Sequence, residues 1–264
     1  MCLENFFIRS PKGHPFLFAQ CLRVRQVDNA SQSRATNPSP RGTRKYAHPV
    51  PAAFFFSFLP PPDANRTEAM QPSSDVTVLA LRTFYILLAH FHLSEFVLAV
   101  RYDRGNVGWR SFLISKPYCV AMTLALVEFK TELAVFGDAK TRALERCFAL
   151  GVFVCVFGEW LRKYAMITAG GAFTHVIQTY RRPRHVLVVD GPYAYARHPG
   201  YLGWFAWVVG TQVVLGNPAC ACGFAVVSYR YFVRRIAYEE AHLRRMFPDY
   251  DAYAARTPSW FPKV

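Results

Sequence analysis

The chain has 264 residues, enough for one large domain or two small ones. Apolar residues make up 52% and charged residues 18%, below the roughly 25% of soluble domains, which points to a membrane and away from an ordinary water-soluble globule. The formal net charge of +14 sits in short clusters between apolar runs, such as Arg181-Arg182-Pro183-Arg184 and Arg234-Arg235. Basic loops flanking hydrophobic spans have this pattern, so nucleic-acid binding is set aside. Seven cysteines with no CxxC pair imply neither a disulfide framework nor a zinc site, and no metal is expected.

Residues 1–75 are rich in Pro, Ser, Asn and Arg and end in Pro60-Pro61-Pro62 and a short polar stretch. Their one apolar run, Ala52–Leu59, is far shorter than the roughly 20 residues of a spanning helix. They read as a disordered extension, or as sequence upstream of a true start at Met70. Asn29-Ala-Ser31 and Asn65-Arg-Thr67 fit the glycosylation sequon, which matters only if this region is real and lumenal.

A membrane domain is expected over residues 76–264. Val76–Val100, Phe112–Phe136 and Ala143–Ile167 are each long and apolar enough to read as spans, the second carrying Glu128, Lys130 and Glu132 late in it. Two shorter runs follow, Tyr201–Leu215 and Ala219–Phe232, joined by the breaker Gly216-Asn217-Pro218. Fifteen helical residues reach roughly 22 Å, short of a 30 Å hydrocarbon core, so the pair reads as a helical hairpin entering from one side. Its second arm continues into the polar helix Arg230–Phe247, which puts Arg235 about 24 Å along the helix from the turn, near the membrane surface. If the hairpin opens to the cytosol, the basic segment Thr168–Pro199 and the tail over 233–264 are cytosolic, as the positive-inside rule requires. The fold class expected is an all-α integral membrane protein: a multi-span bundle with a C-terminal hairpin and a cytosol-facing pocket.

Polar chemistry concentrates just before the hairpin, in Gly191-Pro-Tyr-Ala-Tyr-Ala-Arg-His-Pro-Gly-Tyr-Leu-Gly203, with His185 slightly upstream. Rings and charges beside a bilayer suggest a site for an amphipathic ligand, but by composition alone an interfacial aromatic belt with basic anchors is the stronger reading. On the helix after the hairpin, Arg235 and Glu239 stand at i and i+4 and share a face, followed by Glu240. Within the first span, His90 and His92 point to different sides and do not form a metal pair; they and Glu95 are expected to find partners inside the bundle. Glu128 and Glu132 read as an interfacial helix end, and His242 as a surface residue.

Arg-His-Pro-x-Tyr-x-Gly, a short hairpin and Arg-x-x-x-Glu-Glu together resemble a superfamily of membrane methyltransferases. Four further segments resemble one branch of it, the isoprenylcysteine carboxyl methyltransferases: Phe157-Gly-Glu-Trp-Leu-Arg-Lys-Tyr-Ala-Met-Ile-Thr-Ala-Gly170, Phe173-Thr-His-Val-Ile-Gln178, Gly210-Thr-Gln-Val-Val-Leu-Gly-Asn-Pro218 and Phe91-His-Leu-Ser-Glu-Phe96. The resemblance runs from about residue 80 to the C-terminus, in matching order and spacing. It implies a transferase of the endoplasmic reticulum membrane that uses S-adenosylmethionine to esterify the C-terminal carboxylate of prenylated proteins, such as small GTPases. It also implies that Gln178, His185, Val186, Leu187, Val188, Tyr193, His198, Pro199, Gly200, Tyr201 and Glu239 contact the cofactor, and that Arg235 engages the substrate carboxylate. Gly200 stands where a serine is common, so a backbone contact there survives and a hydroxyl contact does not. The alternatives are a phospholipid amine methyltransferase of the same superfamily, which would not share the Gln178 and Gly210–Pro218 segments, and a sterol reductase-like oxidoreductase, generally a longer chain with more spans.

Overall fold

A computed structural model describes residues 72–181 and 185–261. The expectations for residues 1–71, including both sequons, lie outside the described residues. Those described form α-helices and short 3-10 turns with no strand among them: α1 Pro72–Tyr102, α2 Lys116–Phe136, α3 Asp138–Ala169, α4 Pro199–Val214, α5 Pro218–Met246 and α6 Tyr250–Arg256. The three long apolar runs of the sequence fall within or across α1, α2 and α3, and the two shorter ones across α4 and α5. The second arm passes without a break into the polar helix, because nothing between Pro218 and Met246 interrupts it.

By length and composition, one helix is long and apolar enough to cross a membrane among the described residues, Asp75–Tyr102. The helices that hold the other two expected spans, α2 and α3, carry more charge, and several of those charges point inward to partners. Lys140, 4% exposed, donates to Glu132 at 2.5 Å and to the carbonyl of Gly216 at 2.7 Å, which closes the end of α4 against the start of α3. Glu128 receives the backbone amides of Ala219 and Cys220 at 2.8 and 2.7 Å and so caps the start of α5, where orphan N–H groups and the helix dipole favour an anion. The carboxylates expected at an interfacial helix end thus tie α2 to the hairpin turn.

Glycine governs the packing that matters most, between α3 and α4. A Cβ built on Gly203 would lie 2.5 Å from the Gly158 carbonyl oxygen and 2.6 Å from the Arg162 amide. One built on Gly158 would meet the Gly203 oxygen and the Trp207 nitrogen, both at 2.6 Å. The two backbones touch, the close approach that small residues permit between membrane helices. Below them, Phe91 of α1 stacks on Trp207 of α4 at 3.8 Å, both rings fully buried. The last described residue, Phe261, is 2% exposed and packs on Phe205, Tyr229 and Phe232, so the described part of the tail reaches the core formed by α4 and α5.

The two histidines of α1 have partners within the bundle, as expected. His92 Nδ1 donates to the Phe112 carbonyl at 2.6 Å, which leaves Nε2 to accept from the Tyr118 hydroxyl, also at 2.6 Å. His90 lies 2.8 Å from Glu159 on another side of α1. On α5, His242 is half-buried and sits 2.8 Å from the Tyr238 carbonyl.

Candidate active site

The end of α3, the start of α4 and the second half of α5, with residues 170–181 and 185–193, enclose a cavity with about 170 Å³ open to the centre of a water molecule. Its wall includes Gln178, His185, Val186, Leu187, Val188, Tyr193, His198, Gly200, Tyr201, Arg235 and Glu239. Twelve residues were expected to form a site from the sequence; eleven of them line this one space. Pro199 does not: it is buried at the first position of α4, where a missing N–H costs the helix nothing. Segments far apart in sequence converge because the α3–α4 glycine contact brings the start of α4 to the end of α3, and the short hairpin returns α5 beside it.

Arg235 is the most constrained group. Its Nε donates to the Tyr201 hydroxyl at 2.9 Å, Nη1 to the Tyr231 hydroxyl at 3.2 Å and Nη2 to the His175 carbonyl at 3.0 Å. The guanidinium carbon also lies 5.4 Å from the centre of the Tyr201 ring. Burial disfavours its charge, but the hydroxyl oxygens of Tyr201 and Tyr231 and the Glu239 carboxylate outweigh that and raise its pKa, so it stays cationic. The Tyr201 hydroxyl in turn donates a hydrogen bond to Glu239 Oε2 at 2.5 Å, making a chain Arg235–Tyr201–Glu239 across the cavity wall. The i, i+4 spacing put Arg235 and Glu239 on one face of α5, and the structure inserts Tyr201 of α4 between them.

The neighbouring carboxylate is built for something else. Glu240, 1% exposed, accepts from Arg197 Nε at 2.7 Å, His198 Nε2 at 3.1 Å and Arg244 Nη2 at 3.1 Å. Arg197 goes on to the Thr257 carbonyl at 2.8 Å, and its backbone amide donates to Pro258, so the motif before α4 is bound to α5 and to the tail. Burial works against ionisation of Glu240, but the hydrogen bonds and charges of His198 and Arg197 bring its pKa down to about 2 from the ordinary 4.5. A carboxylate depressed on folding adds stability above its unfolded value and loses it as the pH falls toward its folded value. Glu240→Gln is therefore expected to unfold at a lower temperature than wild type near neutrality. The gap should close as the pH drops from 4.5 toward about 2, as thermal unfolding of the two proteins across that range will read out.

Several lining residues were not anticipated: Arg162, Phe173, Thr174, His175, Trp204, Tyr231, Tyr250 and Tyr253. Some of these had a visible signal, since Phe173-Thr-His lies in a segment already singled out. Thr174 and the Val176 carbonyl hold the Gln178 amide at 3.1 and 2.8 Å. Tyr253 comes from the tail and donates to the Tyr193 carbonyl at 2.7 Å, a contact no local pattern reveals. Gly200 leaves room for a side chain: a Cβ there would meet the Phe173 ring at 3.7 Å and Ala165 at 3.8 Å, ordinary van der Waals contact. The methyl transfer that the resemblance implies is accordingly expected to stay within about twofold of wild type in Gly200→Ser, measured as kcat/KM.

Comparison with known proteins places this arrangement. The model of the isoprenylcysteine carboxyl methyltransferase family matches residues 149–245, which hold the later two thirds of α3, most of the cavity wall, the hairpin and both Glu239 and Glu240. Protein-S-isoprenylcysteine O-methyltransferase B of Arabidopsis thaliana is 42% identical over 193 residues, covering 72% of this chain and 97% of that protein. The enzyme of the same name from Schizosaccharomyces pombe is 36% identical over 196 residues, 69% of this chain and 83% of that one. The solved structure of the eukaryotic intramembrane Ras methyltransferase superposes with a TM-score of 0.67 at 34% identity, over 74% of this chain and 69% of that chain. With a relative of this identity covered almost end to end, and with the helical bundle shared, the chain belongs to the isoprenylcysteine carboxyl methyltransferase family.

Proposed function

We propose that the chain transfers a methyl group from S-adenosylmethionine to the C-terminal carboxylate of S-prenylcysteine in prenylated proteins, at the cytosolic face of the endoplasmic reticulum membrane. The observation that carries this is the fixed guanidinium of Arg235 in a cavity whose other walls are partly hydrocarbon. Three of its five N–H donors are taken by Tyr201, Tyr231 and His175 among the described residues, which leaves one on each Nη for a carboxylate. Leu113, Phe173, Trp204 and Phe232 line the same space and suit a prenyl chain.

The residues present fit a sulfonium cofactor. The carboxylate of Glu239 supplies a negative charge, Gln178 an amide, Tyr193 and His198 rings, and Val186–Val188 an apolar strip, all on one cavity. When bound, S-adenosylmethionine supplies an activated methyl group. The nucleophile needs no general base, because a terminal carboxyl with a pKa of about 3.3–3.7 is ionised at neutral pH. What remains for the protein is positioning, worth roughly 7–11 kcal/mol when two reactants are held in line. Arg235 orients the carboxylate, while its own bonds to two hydroxyls and a carbonyl keep it from neutralising that anion fully. The basic segments around the cavity support a cytosolic orientation.

The test is to offer N-acetyl-S-farnesylcysteine and its carboxamide to membranes containing the chain, with labelled S-adenosylmethionine. Label appearing as a base-labile ester on the acid alone agrees with the proposal. Label entering phospholipid as a base-stable amine, with none on the acid, overturns it.

A further inference from the structure

At the edge of the cavity, a dense set of charges lies between α1 and α3, with Arg162 and His175 reaching the cavity wall and Glu95 and Lys163 behind them. Glu95 of α1 has no exposed surface. Arg162 forks onto it, Nε donating to Oε1 at 2.7 Å and Nη2 to Oε2 at 2.8 Å. Lys163 reaches Oε1 at 2.5 Å and His175 Nε2 donates to Oε2 at 2.8 Å. Stability alone does not account for such a cluster, since a well-packed apolar replacement of a buried ion pair is often as stable or more so. Charges kept inside a membrane domain instead tend to serve function.

The onward bonds of the cluster indicate which function. Arg162 uses its remaining nitrogen, Nη1, to donate to the Gly200 carbonyl at 3.1 Å, one residue before Tyr201. His175, held by Glu95 through its ring, offers its own main-chain carbonyl to Arg235 Nη2 at 3.0 Å. Two of the three oxygens that fix the Arg235 guanidinium, those of His175 and Tyr201, therefore sit on segments anchored to the same carboxylate.

We propose that Glu95 is a positioning residue for methyl transfer: through His175 and through Arg162–Gly200 it sets the orientation of Arg235, without touching either reactant. The inference rests on the function proposed above. It predicts that loosening the anchor harms the transfer step and spares cofactor binding and folding.

His175→Ala is the informative variant, because it leaves Glu95 still paired with Arg162 and Lys163 and no charge stranded. In purified protein reconstituted with lipid, kcat/KM for N-acetyl-S-farnesylcysteine is expected to fall roughly tenfold to a hundredfold, as misplacing a reacting group by about 1 Å does. The dissociation constant for S-adenosylmethionine should change less than about twofold, and the unfolding temperature should stay near wild type. His175→Gln, which keeps a side-chain donor for Glu95, should restore most of the loss. Glu95→Gln combined with His175→Ala should cost no more than the larger single loss, since both cut one chain of contacts. If Glu95→Gln does not fold, the two His175 variants decide the matter alone. Activity of His175→Ala within twofold of wild type overturns the inference, as does failure of His175→Gln to recover, cofactor affinity falling in parallel, or multiplicative losses in the double variant. Wild-type protein that methylates no prenylcysteine overturns the functional proposal itself, and this inference with it.

Discussion

Arg235→Ala is expected to lower kcat/KM for prenylcysteine about a hundredfold to a thousandfold, the scale seen when one preorganised donor is removed from a reacting anion. The Tyr201 and Tyr231 hydroxyls and the His175 carbonyl lose their shared donor at once, so the protein must be shown present at wild-type level. Arg235→Lys separates charge from geometry. A lysine keeps the positive charge as a point on a flexible stem but cannot bond three separated oxygens and a carboxylate together. Its activity should therefore fall between the two, with the loss in kcat exceeding any change in affinity for S-adenosylmethionine. Equal activity for Lys and Arg would mean that charge alone suffices.

The second large effect lies away from the chemistry. Gly203→Ala would place a methyl group 2.5 Å from the Gly158 oxygen and 2.6 Å from the Arg162 amide, and neither backbone atom can swing aside. The helices must separate, at a cost of about 3 kcal/mol, the upper part of the range for overpacked cores. That separation also moves Tyr201 and the Gly200 carbonyl relative to Arg162, so activity should fall with stability. Gly223 on α5 has nothing within 4 Å of such a methyl group, and Gly223→Ala should leave both stability and activity unchanged. The tolerated Gly200→Ser, three residues from Gly203 on the same helix, makes the contrast sharper. Thermal unfolding and methyl transfer of the three variants together check the claim that close α3–α4 contact, and not helix propensity, governs this region.

How far the sequence exposes this architecture depends on the range of the forces involved. Helix α1, the hairpin breaker at 216–218 and the shared face of Arg235 and Glu239 are local matters of apolar length, turn residues and helical period, and they are readable without coordinates. The segments quoted as resembling a family located the part of the cavity wall that is contiguous in the chain, while Leu113, Trp204, Tyr231, Tyr250 and Tyr253 lie outside them. What stayed hidden is tertiary. Tyr201 stands between Arg235 and Glu239 only because α4 folds back on α5. The partners of Glu95 lie 67, 68 and 80 residues away, so no window of sequence displays them. Glu128 and Lys130 late in α2 looked like the end of a span at an interface, whereas Glu128 caps another helix. The tail gave no sign of reaching the core, since one phenylalanine before a proline carries no periodicity.

Division of labour between the adjacent glutamates follows from helical geometry. Residues one apart on a helix diverge by about 100°, so Glu239 faces the cavity while Glu240 faces Arg197, His198 and the tail. The cofactor-side role proposed for Glu239 and the clamp formed by Glu240 predict different phenotypes: weaker cofactor binding for the first, lower thermal stability for the second.

The most direct test of the central claim uses the purified chain in liposomes that contain phosphatidylethanolamine, given labelled S-adenosylmethionine and N-acetyl-S-farnesylcysteine together. Label recovered as methanol after mild base, dependent on the prenylcysteine and lost with Arg235→Ala, is the predicted result. Label that resists base and migrates with phospholipid, or no transfer by a folded protein that binds the cofactor, would contradict it.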